Sequence, residues 1–459
     1  MRITSQFKCI ILMSVLCMTS TVQAVVTPEE AARLTTDLTP FGAERAGNDA
    51  GTIPEWTGGL KIIPPGYQGA GHHYVDPFPE DAPFFVINKE NLEQHKEHLT
   101  PGYLALFKAY PDTFNMPVYR TRRTAGAPNW VYESMRKNAL NAKLNEGGNG
   151  VINAIGGSPF PIPKNGLEAI WNHSLRWRYT GMSGHLSSLV VQESGDFNRT
   201  LTDFDIYYPY NDPSLTYEQL DNTIFKMYAQ VVKPVRRSGD IVLVHETLNQ
   251  EQEPRQSWVY MKGHRRVRKA PVIGFDAPVS NNDDLFVADE IDMWNGSPQR
   301  YDWTLVGKKE IYIPYNSYRI ALPDVKYKDL VLKGHAKPDY TRFELHRVWV
   351  VEAKLKDGKS HIYGRRLFYL DEDSWTAALM ENYDSHDVLW RVAMQHNKYY
   401  YDKDALSAWG GQVVYHDLIS RRYAMNGFSS EEESVYDYSW RPKKPGSYFT
   451  VQALRRRGR

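Results

Sequence analysis

The residue types that commonly catalyse reactions occur in this chain, but their spacing matches no familiar active site. Gly181-Met182-Ser183-Gly184 places a serine among glycines without the G-x-S-x-G spacing of a nucleophile elbow. Gly147-Gly148-Asn149-Gly150 is followed by no lysine and by no further glycine at the spacing that binds phosphate groups. The sequence also lacks the H-E-x-x-H pattern of zinc proteases. We therefore predict that the protein is not an enzyme and carries no cofactor.

Residue types that ligate metals gather at two places. His72-His73 lies in a glycine-rich loop, where a solvated pair is more common than a ligand pair. An acidic cluster lacks the spacing of a calcium-binding loop and is interpreted as a charged turn; its members are Asp283, Asp284, Asp289, Glu290 and Asp292. The remaining histidines are scattered along the chain. The sequence therefore predicts no metal site.

The first 24 residues have the three parts of a secretion signal. Arg2 and Lys8 supply positive charge, Cys9–Leu16 is a short apolar run, and Val22-Gln23-Ala24 provides small residues for cleavage near Ala24/Val25. The apolar run is shorter than the about 20 residues that span a bilayer as a helix. We therefore expect a removable signal, export to the periplasm, and no transmembrane segment in the mature chain.

The predicted mature chain is nearly neutral and contains no cysteine. The whole sequence has 55 Lys and Arg against 54 Asp and Glu, and the signal holds two of the basic residues, which leaves 53 against 54. This balance gives no field that would gather nucleic acid, so we expect no nucleic-acid partner. Both cysteines, Cys9 and Cys17, fall within the signal, which predicts no disulfide. The basic end Arg455–Arg459 is interpreted as a solvated tail rather than a contact with lipid phosphates.

Helix signals dominate residues 25–184, which we predict to pack as helices and an extended wrap on a sheet. Thr27, Pro28 and Glu30 form a capping-box pattern that predicts a helix to about Leu38, followed by an irregular Gly- and Pro-rich stretch. Helical spacing then returns at 88–99, 100–110, 129–145 and 166–175. Their predicted buried faces contain Trp130, Leu140 and Leu144, and then Leu167, Ile170 and Trp171.

Alternating apolar and polar residues dominate from about His185 onwards. Val, Ile, Tyr, Trp and Thr are enriched in eleven short segments, and turn residues separate many of them. The segments are 185–193, 201–208, 225–235, 240–248, 256–262, 309–315, 343–356, 361–371, 375–383, 388–401 and 411–417. We predict one antiparallel sheet domain over residues 185–430, followed by a tail over residues 431–459.

The register of residues 343–396 can be worked out from the turns. Asp357-Gly358 predicts a two-residue hairpin turn, and two further tight turns follow at 371–374 and 384–387. The resulting pairs are Ala353 with Ile362, Trp349 with Arg366, Phe368 with Ala377, and Leu379 with Val392. These registers collect large apolar residues on one face of four strands and polar residues on the other. The predicted wall consists of Trp349, Phe368, Leu379, Trp390 and Val392.

The predicted apolar wall also contains three charged residues, Arg347, Arg366 and Glu381. Because an unpaired buried charge is costly, each must be paired, hydrated or facing a cavity. One interpretation is structural, with Arg366 and Glu381 bridging diagonally. The other is functional, with an arginine on the wall holding the carboxylate or phosphate of a ligand. The sequence leaves both open.

One set of motifs resembles a known family. A strand with Trp258 and Tyr260, an Arg-rich return over 265–268, and the stretches Gly274-Phe275-Asp276 and Asp283-Asp284-Leu285 resemble outer-membrane lipoprotein-sorting-like proteins of the periplasm. The longer run resembles a proteobacterial branch of these, catalogued as domain of unknown function thirteen-twenty-nine. Its motifs here are Ala288-Asp289-Glu290-Ile291, Tyr301-Asp302-Trp303, 312–319, 367–375, 381–384 and Leu389-Trp390-Arg391.

The resemblance implies a mainly β fold with N-terminal helices. It implies a strongly curved antiparallel sheet, an unclosed half-barrel of lipoprotein-carrier type, with helices over its concave face. Lipoprotein carriers of this shape hold acyl chains in that concavity. Members of the branch are often encoded near resistance-nodulation-division-type exporters and outer-membrane proteins, which implies traffic of lipids or other hydrophobic molecules.

The leading hypothesis is a periplasmic carrier or chaperone for a hydrophobic, acyl-bearing ligand in envelope lipid traffic. The predicted wall, from Trp349 to Val392, would contact the acyl chain, and Arg347 or Arg366 would meet the head group. An alternative is an accessory protein that docks on a resistance-nodulation-division-type exporter or an outer-membrane partner, itself peripheral to the outer membrane. A lipid or ester hydrolase is the least favoured alternative.

Overall fold

The computed structural model describes residues 26–270, 276–279, 282–402 and 411–458, together with the backbone course of 407–408. The predicted signal, Gly274-Phe275 and Arg459 lie outside the described residues. The strands are β1 Phe85–Ile87, β2 Met116–Val118, β3 Lys143–Leu144, β4 Val151–Ile152, β5 Gly181–Val191, β6 Phe197–Tyr207, β7 Thr223–Lys233, β8 Ile241–Thr247, β9 Gln256–Met261, β10 Arg266–Lys269, β11 Tyr301–Pro314, β12 Phe343–Leu355, β13 Arg365–Asp371, β14 Ala377–Tyr383, β15 Leu389–Gln395, β16 Tyr399–Tyr400, β17 Ser407–Ala408, β18 Val413–Asp417 and β19 Tyr423–Phe428.

Helices are fewer and short. The α-helices are α1 Pro28–Ala32, α2 Pro101–Ala109, α3 Asn129–Asn141, α4 Gly166–Leu175, α5 Tyr327–Leu330, α6 Pro445–Tyr448 and α7 Val451–Arg457. The 3₁₀ segments are Arg33–Thr35, Leu92–His98, Pro209–Asn211, Glu218–Leu220, Val235–Arg237, Ala288–Glu290, Pro298–Arg300, Arg319–Ala321 and Pro338–Tyr340. Within the described part of the chain, each helix is too short or too polar to cross a membrane.

Local capping chemistry sets the helix starts. The capping box of Thr27 and Glu30 is formed at α1, and the Thr100 hydroxyl accepts from the Tyr103 amide at α2. The predicted burial of Leu140 is wrong, since it is 40% exposed. The buried side of α3 contains Val131, Met135 and Ala139, whose spacing of four residues places them on one stripe.

Fifteen strands form one open sheet. Its order is β1-β2-β12-β13-β14-β15-β18-β19-β5-β6-β7-β8-β9-β10, and β11 lies beside β12. Neighbours are antiparallel except at a single contact, where Phe343 of β12 pairs in parallel with Val118 of β2. The predicted fold class, a mainly β protein with a large unclosed antiparallel sheet and a few helices, is confirmed.

Strand β19 joins the two halves of this sheet, and the sequence analysis missed it. Ala424 pairs with Tyr415 of β18 on one side and with Val190 of β5 on the other. The strand contains Asn426 and Gly427, which disfavour strands, and a bulge lies at Gly427, between Asn426 and Phe428. Only tertiary pairing on both edges makes this segment extended.

Both faces of the β12–β19 half are covered. The α4 face is the one on which Val351, Phe368, Met380 and Ala393 pack against α3 and α4. The α2 face is the opposite one, on which Val350, Tyr369, Leu379 and Val392 pack against Tyr103, Leu106 and Phe107 of α2. A strand buried on both faces shows no strict alternation, which limits any parity argument.

The predicted register is wrong at all three turns, with different consequences. At the last turn, Leu379 lies opposite Met394 rather than Val392, an even shift that keeps the strand faces. The Asp357-Gly358 turn forms, but Ala353 lies opposite Arg366 rather than Ile362, an even shift that keeps the strand faces. Phe368 lies opposite Met380 rather than Ala377, an odd shift that reverses the faces of β14 and β15 relative to β13. The cause is the turn after β13, where Trp375 adopts a left-handed φ of 61° and a bulge follows Tyr369.

Candidate ligand-binding face

The predicted wall residues lie on two faces of the sheet. Trp349 and Phe368 are on the α4 face, whereas Leu379 and Val392 are on the α2 face. Phe368, Leu379 and Val392 are at most 1% exposed, so neighbouring side chains already occupy their surfaces. Trp390 is half-buried and donates its indole N–H to Asp417 Oδ2 at 3.0 Å. Binding of a ligand by these five residues stays a prediction.

Arg366 is fully buried and is neutralised within the protein. Its Nη1 donates to Asp289 Oδ2 at 2.9 Å, and its Nε donates to Asn382 Oδ1 at 3.0 Å. The guanidinium also lies 5.1 Å from the centre of the Trp294 ring. Burial opposes ionisation of Asp289, but the Arg366 charge holds the pKa of Asp289 below its usual range. The diagonal bridge to Glu381 is absent from the described contacts of Arg366.

Glu381 lies on the other face, at the start of α2. Its Oε1 accepts from the Gly102 amide at 2.6 Å, and its Oε2 accepts from the Tyr383 hydroxyl at 2.9 Å. Helix N-termini favour a carboxylate in this position. Burial nevertheless raises the pKa of Glu381. The side chain therefore fastens α2 to β14.

Arg347 holds the N-terminal wrap against the sheet. Its Nη1 donates to Glu372 Oε1 at 2.9 Å, and its Nη2 donates to the Ala46 carbonyl at 2.7 Å. Arg347, Arg366 and Glu381 thus each have protein partners, and contact with a ligand head group stays a prediction.

The acidic cluster is only in part a charged turn. Asp283 and Asp284 have left-handed backbone conformations and exposed side chains, as a turn requires. Asp289 and Glu290 are each 1% exposed and face the guanidiniums of β13 and β15. Asp292 is bound by Arg176 at 2.7 Å and by Arg178 at 3.0 Å. The interpretation as a solvated turn is therefore wrong for these three residues, because partners distant in sequence neutralise them.

One group of side chains has the donor types and proximity to hold a cation. Ligand atoms of His346, Asp371 and Asp373 lie within 4.8 Å of one another, and all three residues are buried. Arg123 already donates to both oxygens of Asp373 at 2.6 and 2.8 Å. Glu344 Oε2 lies 3.2 Å from His346 Nε2. Burial and the neighbouring Asp373 charge raise the pKa of Asp371.

Among the described residues, the α4 face of the β6–β9 part of the sheet is only partly covered. Register places side chains of one face in rows across these strands, Phe204–Ala229–Val242–Val259 and Ile206–Met227–Val244. We call the half-buried members of these rows and their neighbours the open apolar face, which consists of Leu186, Phe204, Met227, Ala229, Val231, Val242, Val244 and Val259. None of its four valines belongs to a buried apolar cluster of the described residues.

The reverse side of the same strands is closed. Tyr228, Ile241, Leu243 and Tyr260 are buried there beneath Phe449 and Leu454 at the C-terminal end of the chain. Period-2 alternation therefore gives these strands one covered and one open apolar face. The sequence analysis predicted the four strands β6–β9 but not the open face, because alternation shows which residues share a face and not what covers it.

Comparisons with known proteins agree on one family. The model of the family "Protein of unknown function (DUF1329)" matches residues 86–455. An uncharacterized protein of Pseudomonas aeruginosa is 45% identical over 437 residues, which are 95% of each chain.

Solved structures show more distant likeness. A DUF1329 family protein from Desulfovibrio piger has a TM-score of 0.41 at 13% identity and covers 60% of this chain and 92% of its own. A putative outer membrane lipoprotein-sorting protein domain from Vibrio parahaemolyticus has a TM-score of 0.42 at 13% identity, covering 63% and 98%. A LolA superfamily protein from Nitrosomonas europaea has a TM-score of 0.37 at 10% identity, covering 63% and 99%. The resemblance predicted from the motifs is confirmed, and no ligand is transferred from these structures.

Proposed function

This chain belongs to the DUF1329 family, and from that premise we propose that it is a periplasmic carrier that binds a hydrophobic, acyl-bearing ligand without reacting with it. The open apolar face is the observation that carries the proposal. Proteins in water rarely leave a contiguous apolar surface uncovered unless something binds there. The predicted secretion signal supports the compartment.

The shape of the open apolar face suits a linear chain of methylene groups. Phe204, Ala229, Val242 and Val259 form a row across four strands, which extends over about 14 Å at the usual strand spacing. The row contains no charged side chain until Arg268 of β10, which lies opposite Val259 and is exposed. An acyl chain laid along this row would meet only apolar groups.

The energy available from this face fits reversible binding. Each methylene removed from water contributes about 0.8 kcal/mol, so a chain that buries about ten of them gains about 8 kcal/mol. The loss of translational and rotational freedom offsets at least about 4 kcal/mol of this gain. A ligand held by its chain alone is therefore weakly bound, and a carrier must release what it binds.

Native mass spectrometry of protein purified gently from periplasm tests the proposal, together with organic extraction of any bound molecule. We expect an added mass that resolves into an acyl-bearing molecule. Val242→Glu, at the centre of the open apolar face, should abolish the added mass. Val306→Glu is the matched control, since Val306 is 54% exposed on β11, outside that face.

Two results would contradict the proposal. The first is a ligand-free mass for the wild-type protein, with no uptake from envelope lipid extract, and this would favour the alternative of an accessory docking protein. The second is an unchanged ligand content in a folded Val242→Glu variant. Replacement of Trp349 and Trp390 by glutamine tests the predicted wall separately.

A further inference from the structure

Among the described residues, Lys398 is a buried cation without an acidic partner. It is 6% exposed, and among the described residues no carboxylate lies within ion-pair distance of its ammonium group. The ammonium group instead lies near aromatic rings, with Nζ 5.7 Å from the centre of the Tyr74 ring and 5.4 Å from the centre of the Tyr400 ring. Arg176 and Arg366, which are equally buried, each have a carboxylate within 3 Å. Lys398 is therefore an exception among the buried cations that the structure describes.

Burial without an anionic partner disfavours the charged form of the Lys398 amine. Burial alone lowers the pKa of Lys398 to about 7. A buried lysine amine is tolerated only when its charge is paired with an anion or when the amine is neutral. An anion that entered beside Lys398 would therefore restore its charge and remove the penalty.

Other polar groups without partners share the pocket with Lys398. The pocket is lined by His73, Tyr74, Gln412, Ser429 and Tyr436, among others. His73 Nδ1 and Gln412 Oε1 are buried and have no hydrogen-bond partner in the described part of the chain. Since an amide can rotate to present its NH₂ group, the Gln412 side chain can donate to an oxyanion. The enclosed part of the pocket is only water-sized, so binding of a head group requires the lining tyrosine side chains to move aside.

The pocket adjoins the open apolar face. Gly184 of β5 lies opposite Phe204, and a Cβ added to Gly184 would meet Tyr436 Cα at 2.9 Å. Tyr436 therefore packs on the sheet beside Phe204, in the space that is free because Gly184 has no side chain. Tyr400 and Tyr436 belong to the same apolar cluster against which Leu186, Phe204 and Met227 pack. Packed aromatic side chains thus connect the open apolar face to the pocket that contains Lys398.

We propose that this pocket binds the anionic head group, a carboxylate or phosphate, of a ligand whose acyl chain lies on the open apolar face, with Lys398 supplying the positive charge. The inference rests on the proposed function and narrows its ligand class to anionic amphiphiles. It differs from the sequence prediction, in which Arg347 or Arg366 met the head group.

Three probes of one chain length and one anion without a chain separate the contributions of the chain and the head group. Isothermal titration at pH 6.5 compares dodecanoate, dodecyl phosphate, the neutral dodecanol and inorganic phosphate, using delipidated full-length mature protein. We expect the two anionic amphiphiles to bind at least tenfold more tightly than dodecanol, and inorganic phosphate to bind weakly. Lys398→Met should remove this tenfold preference and leave dodecanol binding unchanged, and Lys398→Arg should restore part of it.

Control variants keep the result interpretable. Arg268→Met removes the exposed cation at the far end of the same row, and we expect it to leave the preference intact. Lys398→Met removes a buried charge, so it should fold with an unfolding temperature at least equal to that of the wild type. Binding of anions at pH 8 should be accompanied by proton uptake, which is measured as a dependence of the heat on the buffer used.

The outcomes separate this inference from the proposed function. If dodecanol binds but the anionic probes bind no more tightly, or if the preference survives Lys398→Met, the head-group site is wrong while the carrier proposal stands. Loss of the preference in Arg268→Met alone would move the site to β10 and overturn the inference. Binding of inorganic phosphate as tight as that of dodecyl phosphate would indicate a free-anion site and overturn the amphiphile assignment. If none of the amphiphiles binds, both proposals fail.

Discussion

Replacement of Arg366 by methionine distinguishes the two roles that the sequence left open for this residue. The structure buries the Arg366 guanidinium between Asp289 and Asn382, so Arg366→Met leaves the Asp289 carboxylate buried with a weaker set of partners. Breaking a buried pair by removing one member costs about 3–5 kcal/mol. His361 Nε2 lies 3.1 Å from Asp289 Oδ2 and compensates in part, so we expect a loss of about 3 kcal/mol, at the lower end of that range.

The neighbouring residue provides a matched control. Arg365 precedes Arg366 in β13 and pairs with Asp387, whose side chain is 66% exposed. Such surface pairs contribute about 0–1 kcal/mol, so Arg365→Met should lower the free energy of unfolding by less than about 1 kcal/mol. Methionine keeps the aliphatic part of either arginine. The two variants thus differ mainly in the loss of a buried or an exposed charge.

Urea unfolding at pH 7, followed by tryptophan fluorescence, measures both losses. The reasoning predicts that Arg366→Met together with Asp289→Asn regains at least half of the lost stability, because no unpaired charge remains. A loss within about 1 kcal/mol of that for Arg365→Met would refute the structural role. If that result came with disappearance of the co-purified ligand, Arg366 would instead be the head-group residue predicted from the sequence.

Three further predictions concern single sites. Gly427→Ala should lower the free energy of unfolding by more than about 3 kcal/mol, because a Cβ there would lie 1.6 Å from the Gly411 carbonyl oxygen. Gly358 has a similar φ but open space around it, so Gly358→Ala should lower the free energy of unfolding by only about 1 kcal/mol. Equal losses for the two variants in thermal or urea unfolding would contradict this argument. Lys398→Met should be more stable than the wild type below about pH 7. The difference in the free energy of unfolding should shrink as the pH rises from 7 towards 10, because in this range only the unfolded chain still binds the proton on Lys398. A difference independent of pH, measured by urea unfolding from pH 6 to 10, would show that Lys398 is not the titrating group. Metal analysis should find no bound zinc or manganese, and EDTA should leave the unfolding temperature unchanged, because Arg123 already neutralises Asp373; one equivalent of metal retained after gel filtration would overturn the prediction of no metal site.

Features that depend on neighbours in the chain were predictable from the sequence. The capping box at Thr27 and the cap at Thr100 satisfy amides three residues away, so the local pattern was sufficient. Most strands were also found, since alternation of apolar residues is a local signal. The family resemblance fixed the open sheet, which no local pattern specifies.

The odd register shift after β13, which reverses the strand faces, was not predictable because a single residue sets it. Trp375 takes a left-handed conformation with its ring buried and its indole N–H donating to the Phe41 carbonyl at 2.8 Å. That distant contact favours a backbone conformation that a tryptophan rarely adopts. The extra length of the turn shifts the next strand by an odd number of residues, which moved Leu379 and Val392 away from Phe368.

The residue types of the candidate site were predictable, but their pairing and position were not. The sequence indicated apolar strands and buried charges, and both are present. Pairing of Arg366 with Asp289 joins residues far apart in the chain, so the acidic cluster had to be interpreted without its counter-ions. The sequence analysis missed Lys398, because only the fold shows that no carboxylate of the described residues lies near its ammonium group.

The position of β19 has a consequence for the order of folding. Strands β5–β10 follow one another in both chain and sheet, as do β11–β15, so each half is a meander built from contacts between nearby residues. The halves meet only when β19 inserts beside β5, where Val190 and Ala424 are more than 230 residues apart along the chain. Closing so long a loop is entropically costly and slow. We therefore expect the two meanders to form first as separate folding units, and a chain emerging during export to acquire its single sheet only after residue 428 is available.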